Sequence, residues 1–147
     1  VFIYMAASSE ELQVDIKETL KRFKIKDIIP PEFIKLEKIA TLSKILELMF
    51  HSHQEDFPVL ENGRMAGFVT RNDIINGIHK LGTGAPVSAI MRGEFPALKE
   101  SDSLDRAQNV MQENGIRALP VMRKDAIIGV VTLEDISRVY SMMAKRG

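Results

Sequence analysis

The chain contains no cysteine and no tryptophan. Without cysteine it has no disulfide, no thiolate nucleophile and no thiol-ligated zinc site. That composition fits a reducing cytoplasm. An excess of one charge is also missing, since 20 Lys and Arg balance 20 Asp and Glu. No basic field recruits a polyanion, and two tyrosines offer little stacking surface, so a nucleic-acid binder is disfavoured. Any ligand must be recognised locally. The sequence holds no P-loop, no His-Glu-x-x-His zinc motif and no nucleophile–base pair that can be singled out. Long apolar runs are lacking too. Val1-Phe2-Ile3-Tyr4-Met5-Ala6-Ala7 is uncharged, but it falls far short of the roughly 20 residues that span a bilayer. It also lacks the positive flank of a signal peptide. Two readings of it stay open: the cut end of a membrane helix, or an apolar segment packed on the domain or on a dimer partner.

What the sequence does have is repetition. Gly67-Phe68-Val69-Thr70-Arg71-Asn72-Asp73-Ile74 returns as Gly129-Val130-Val131-Thr132-Leu133-Glu134-Asp135-Ile136, 62 residues further on. Phe57-Pro58-Val59 returns as Leu119-Pro120-Val121, Thr41-Leu42 as Ser103-Leu104, and Ile28 as Ile90, all at the same offset of 62. A constant offset over half the chain marks a duplicated unit. The bulk fits one compact domain or two small ones sharing a core.

Each copy reads β-α-β-β-α. In the first, Phe33-Ile34-Lys35-Leu36 is a short strand after the Pro30-Pro31 break. Thr41 caps a helix with Leu42, Ile45, Leu46 and Met49 on one face. That helix ends near His53, which matches Gly115, so a left-handed backbone is expected at both. Phe57–Leu60 and Ala66–Val69 are strands joined by Asn62-Gly63, a pair suited to a tight turn with positive φ. The next helix starts at Thr70 or just after, with Ile74, Ile75 and Ile78 inward. The second copy places strands at 96–98, 119–122 and 127–131, and helices at 104–114 and 133–144. Ser8-Ser9-Glu10-Glu11 has the capping-box pattern, and Leu12, Ile16, Leu20 and Phe23 follow at helical spacing, so residues 9–23 read as a linker helix. The expected division is 1–23 for the apolar end and linker helix, 24–81 for the first repeat and 86–144 for the second. Two such units packed face to face bury what one cannot, with a cleft for each copy's strand-to-helix turn.

That turn carries the chemistry. A helix starting at a strand end presents free backbone N–H groups that attract an anion. Thr70 and Thr132 can add a hydroxyl to a phosphate, and Asp73 and Asp135 can accept two hydrogen bonds from a vicinal diol such as ribose. Thr-x-x-Asp is equally a capping box worth about 1 kcal/mol to any helix. Both readings hold together: a cap when empty, a ligand contact when filled. The run His51-Ser52-His53-Gln54-Glu55-Asp56 spans a helix end, where capping and solvation are favoured over a metal site. His79 is expected to be exposed. Met49 and Met111 read as apolar fillers.

The ordered set of Ile28-Ile29 and Ile90-Met91, Phe57-Pro58-Val59 and Arg117-Ala118-Leu119-Pro120-Val121, and the two Gly-to-Asp motifs resembles the tandem cystathionine-β-synthase (CBS) domain pair, or Bateman module. The resemblance covers about residues 24–142 and implies an α/β (α+β) fold of two repeats in pseudo-two-fold packing. It implies a non-catalytic regulatory module that needs no cofactor and binds AMP, ADP, ATP or S-adenosylmethionine. It places ribose at Asp73 and Asp135, phosphate at Thr70 and Thr132 with Arg117, and apolar or backbone contact at Ile29, Phe33, Met91, Phe95 and Ala118. It also implies a homodimer. The chain departs from a symmetric pair where Glu55 and Asp56 stand opposite Arg117 and Ala118. Those carboxylates either face solvent, the favoured reading, or repel phosphate and suit a cationic sulfonium. The apolar start and Ser-Glu-Glu helix resemble the tail of M50-type, site-2-related membrane metalloproteases. That implies an effector on the N-terminal side and tethering to the cytoplasmic face of a membrane. The alternative to a sensor is a structural dimerisation module with vestigial sites.

Overall fold

A computed structural model describes residues 17–144. The apolar start and the proposed Ser8 cap lie outside the described residues. Residues 17–22 are helical (α1) and bury Leu20. A 3-10 turn, Ile25–Asp27, leads into the first repeat: β1 (Leu36–Glu37), α2 (Leu42–His51), β2 (Phe57–Glu61), β3 (Arg64–Val69) and α3 (Arg71–Leu81). The matching turn Val87–Ala89 leads into β4 (Leu98–Lys99), α4 (Leu104–Asn114), β5 (Ala118–Arg123), β6 (Ala126–Thr132) and α5 (Leu133–Ala144). Two three-stranded sheets result, in the orders β1-β2-β3 and β4-β5-β6. This is the mixed α/β architecture expected from the repeat.

In the first sheet β1 and β2 are parallel, with α2 as the crossover between them. β2 and β3 are antiparallel, pairing Phe57 with Val69 and Val59 with Gly67. Asn62 and Gly63 take φ of 52° and 78°, the two positive values that this tight turn demands. Thr41 and Ser103 accept the N–H of Lys44 and Arg106, so both crossover helices start on the expected caps.

Two local expectations give way. Gly115 closes α4 in the left-handed conformation at φ 63°, but His53 does not adopt it. Instead the Ser52 hydroxyl donates to the Leu48 carbonyl at 2.7 Å and accepts the Gln54 N–H at 3.2 Å, closing α2 with a side chain. The segment expected as strand 33–36 pairs only from Leu36. Its earlier part is held by Gln54, which accepts the Ile34 N–H at 2.7 Å and donates to the Ile34 and Asp56 carbonyls. A side-chain amide here does the work of a strand.

The described residues divide into two compact units that do not follow the repeats: 30–97 with 120–130, and 17–29 with 98–119 and 131–144. Each repeat's leading segment therefore belongs with the other repeat. In the first-repeat unit, Leu42 N–H donates to Ala85 O at 2.9 Å and Val87 N–H to Ala40 O at 2.7 Å. In the other unit, Ile25 N–H donates to Asp102 O at 2.8 Å and Leu104 N–H to Phe23 O at 3.1 Å. Leu36, Leu42, Ile45, Phe57, Val59, Val69, Ile74 and Val87 form the core of the first-repeat unit. Leu20, Ile25, Leu104, Met111, Leu119 and Ile136 are buried in the second.

Glycine explains how one leading segment seats. A methyl at Gly67 would lie 2.8 Å from the Arg92 carbonyl oxygen and 2.8 Å from the Met91 sulfur. Only a bare backbone lets residues 91–92 run this close to β3. There Phe68 and Arg92 exchange backbone hydrogen bonds of 3.0 and 2.9 Å. Gly77 on α3 makes the same allowance for Ile90, at 2.8 Å.

Candidate ligand sites

The unit division sorts the expected site residues into two sets. Thr70, Asp73, Phe33, Met91 and Phe95 belong to the first-repeat unit, and Thr132, Asp135, Arg117, Ala118 and Ile29 to the other. Each set holds one strand-to-helix turn.

At the first turn β3 ends at Val69 and Thr70 stays extended at φ −94°, ψ 164°. Its hydroxyl accepts the Asp73 N–H at 3.2 Å, and Asp73 returns a carboxylate oxygen to the Thr70 N–H at 3.1 Å. This is a complete capping box. Asp56 accepts the Arg71 N–H at 3.1 Å, and Glu55 pairs with the Arg71 guanidinium at 2.8 Å. Glu55 keeps a side chain 44% exposed, in line with the favoured solvent-facing expectation, whereas Asp56 departs from it by accepting a helix-start N–H. One is seated on the helix start and the other is held beside it.

Asp73 has a further partner that the sequence reading missed. Arg92 donates Nε and Nη2 to its two carboxylate oxygens, each at 3.0 Å. The Asp73 side chain is only 16% exposed, whereas Arg92 is 47% exposed. The guanidinium also lies 5.6 Å above the Phe95 ring, which packs on Phe68 at 4.6 Å between centroids. Half-buried Met91 packs against the core of this unit. Phe33 carries the Lys35 ammonium 5.1 Å above its ring. The one signal that could have pointed to Arg92 is a break in the repeat, because Pro30 occupies the matching position.

At the second turn the capping box recurs. Thr132 accepts the Asp135 N–H at 3.1 Å and Asp135 accepts the Thr132 N–H at 2.9 Å. The Leu133 N–H goes to the neutral Arg117 carbonyl at 2.8 Å, where the first copy used a carboxylate. Ala118 is buried and the Arg117 side chain is exposed. Arg138, on the next turn of α5, comes within 3.7 Å of Asp135, beyond hydrogen-bond length. His79 is exposed as expected. Among the described residues no cluster of His, Asp or Glu could hold a metal ion. None of their helices is long and apolar enough to cross a membrane. A shallow groove of about 560 Å³ lies elsewhere, at the hairpin end of the first sheet between residues 35–39 and 60–63.

The family model for the CBS domain matches residues 25–80 and again residues 87–141. The chain belongs to the CBS-domain family. Among curated relatives, the CBS domain-containing protein YhcV of Bacillus subtilis is 27% identical over 115 residues, covering 77% of this chain and 82% of its own. A homoserine O-acetyltransferase of Methanosphaera stadtmanae is 28% identical over 128 residues, 85% of this chain but only 26% of the enzyme. This CBS pair thus spans about a quarter of that relative. The zinc metalloprotease MJ0392 of Methanocaldococcus jannaschii is 29% identical over 54% of this chain and 22% of its own. Among solved structures, the CBS-domain pair of protein MJ0100, in complex with 5′-methylthioadenosine and S-adenosyl-L-methionine, superposes with a TM-score of 0.76 at 21% identity. That match covers 82% of this chain and 97% of the other. It establishes the shared fold.

Proposed function

We propose that this CBS pair is a regulatory module that binds an adenosine-containing ligand at the two Thr-x-x-Asp turns and transmits its occupancy to an attached effector. The observation that carries the reading is the duplicated constellation. In each unit a Thr–Asp pair stands at a helix start. A carboxylate can accept both hydroxyls of ribose, and the adjoining hydroxyl and backbone donors can meet a phosphate. The ligand complex of the MJ0100 pair supports an adenosine compound. AMP, ADP, ATP and S-adenosylmethionine are the candidates. The chain itself is read as non-catalytic, because its matches to enzymes span only a fraction of their length. The zinc metalloprotease relative supports a protease among the candidate effectors. That this effector is membrane-embedded and N-terminal, and that the module is a homodimer on the cytoplasmic face, belongs to the same proposal.

A second reading has its own support. Both Thr–Asp pairs satisfy each other fully as caps, and Phe50 on α2 is 81% exposed. A dimerisation module with vestigial sites would show both features. Calorimetric titration separates the two. Asp135→Asn should lower the affinity for the ligand while the melting temperature stays near that of the parent. A parent protein that takes up none of the four adenosine compounds would favour dimerisation alone.

A further inference from the structure

We propose that Arg92 is an internal stand-in for the ligand's diol, latching the first site and leaving the second to fill first. The inference rests on the diol-binding role given above to Asp73. The side edge of a guanidinium presents two parallel donors to the two oxygens of a carboxylate. Two neighbouring ribose hydroxyls offer the same acceptor the same pattern. Arg92 makes that fork at 3.0 and 3.0 Å, so a diol cannot take the same fork on Asp73 until the guanidinium leaves. With the Thr70 N–H also on Asp73 Oδ2, both oxygens are engaged.

Residue 92 cannot withdraw as a whole. Its backbone is pinned to Phe68 by the reciprocal hydrogen bonds that Gly67 permits. Only the side chain can move, and it is 47% exposed on its solvent side. The Phe95 face already lies beneath the cation in the latched pose. The second copy has no counterpart, because position 30 is a proline without a donor side chain. Among the described residues, Asp135 has its capping bond and the distant Arg138. Two sites that look alike in sequence therefore differ in what a ligand must displace.

The test uses the whole chain carrying Asp135→Asn, which silences the second site but retains an oxygen for the Thr132 cap. Adenosine is titrated calorimetrically into this protein with and without Arg92→Ala. The control ligand is 2′,3′-dideoxyadenosine, which lacks the diol. Removing the latch should tighten adenosine about tenfold, since a bidentate charge-assisted pair is lost but solvent already competes for a half-exposed arginine. Dideoxyadenosine should shift less than about twofold by the same reasoning. A gain of affinity cannot arise from damage to the fold. Adenosine that binds both proteins equally, or binds Arg92→Ala more weakly, overturns the latch while leaving the site in place. No binding to either protein overturns the diol-site reading and the latch with it.

Discussion

Gly67→Ala is the sharpest test of how the first site is assembled. The new methyl would sit 2.8 Å from a backbone carbonyl oxygen and 2.8 Å from the Met91 sulfur. The sulfur can swing away, but the carbonyl belongs to Arg92, whose backbone is tied to Phe68. Relief requires residues 91–92 to lift off β3 by several tenths of an ångström. Overpacking of this kind costs about 1–3 kcal/mol. Weakening the two Phe68–Arg92 hydrogen bonds adds up to about 1 kcal/mol each. We expect a loss of about 2–3 kcal/mol in urea unfolding, with the midpoint lowered. Gly93→Ala is the control, since nothing lies within 4 Å of its added methyl. It should be neutral or slightly stabilising. If Gly67→Ala unfolds within about 0.5 kcal/mol of the parent, the close approach does not position Met91 and Arg92.

Other outcomes follow from single contacts. Thr70→Ala and Thr132→Ala should each cost about 1 kcal/mol by chemical denaturation, the usual worth of a cap. Equal and negligible losses would mean the capping boxes do not hold α3 and α5. Gln54→Leu removes three hydrogen bonds to Ile34 and Asp56 and should cost about 2–3 kcal/mol. Hydrogen exchange at Ile34 should quicken in that variant, and unchanged protection there would refute the bridging role. Arg71→Ala frees Glu55 from its ion pair. Both side chains are about half exposed, so the loss in stability should stay below about 1 kcal/mol.

The duplication made most of the fold legible. A fixed offset of 62 locates both capped crossover helices and both Thr-x-x-Asp turns. The helices at 104–114 and 133–144 fall where the apolar spacing and caps put them. What the repeat could not show is what the two copies do not share. Gln54 faces Ile116 across the offset, so its three bonds have no echo. Arg92 faces Pro30, and its hold on Asp73 depends on a leading segment lying against the other repeat's strand. Such a contact is long-range and leaves no local periodicity. His53 shows the reverse error. Matching it to Gly115 suggested a left-handed residue, yet the serine beside it closes the helix by other means.

Thermal unfolding with AMP, ADP, ATP and S-adenosylmethionine, each at about a millimolar, is the most direct probe of ligand binding by this pair. A ligand whose Kd lies a hundredfold below its concentration stabilises the native state by about 2.7 kcal/mol. Melting temperature should rise clearly with at least one of the four, and the rise should vanish when Asp73 and Asp135 are both changed to Asn. Melting curves that stay fixed with every one of them would contradict ligand binding and leave Thr70, Asp73, Thr132 and Asp135 as helix caps.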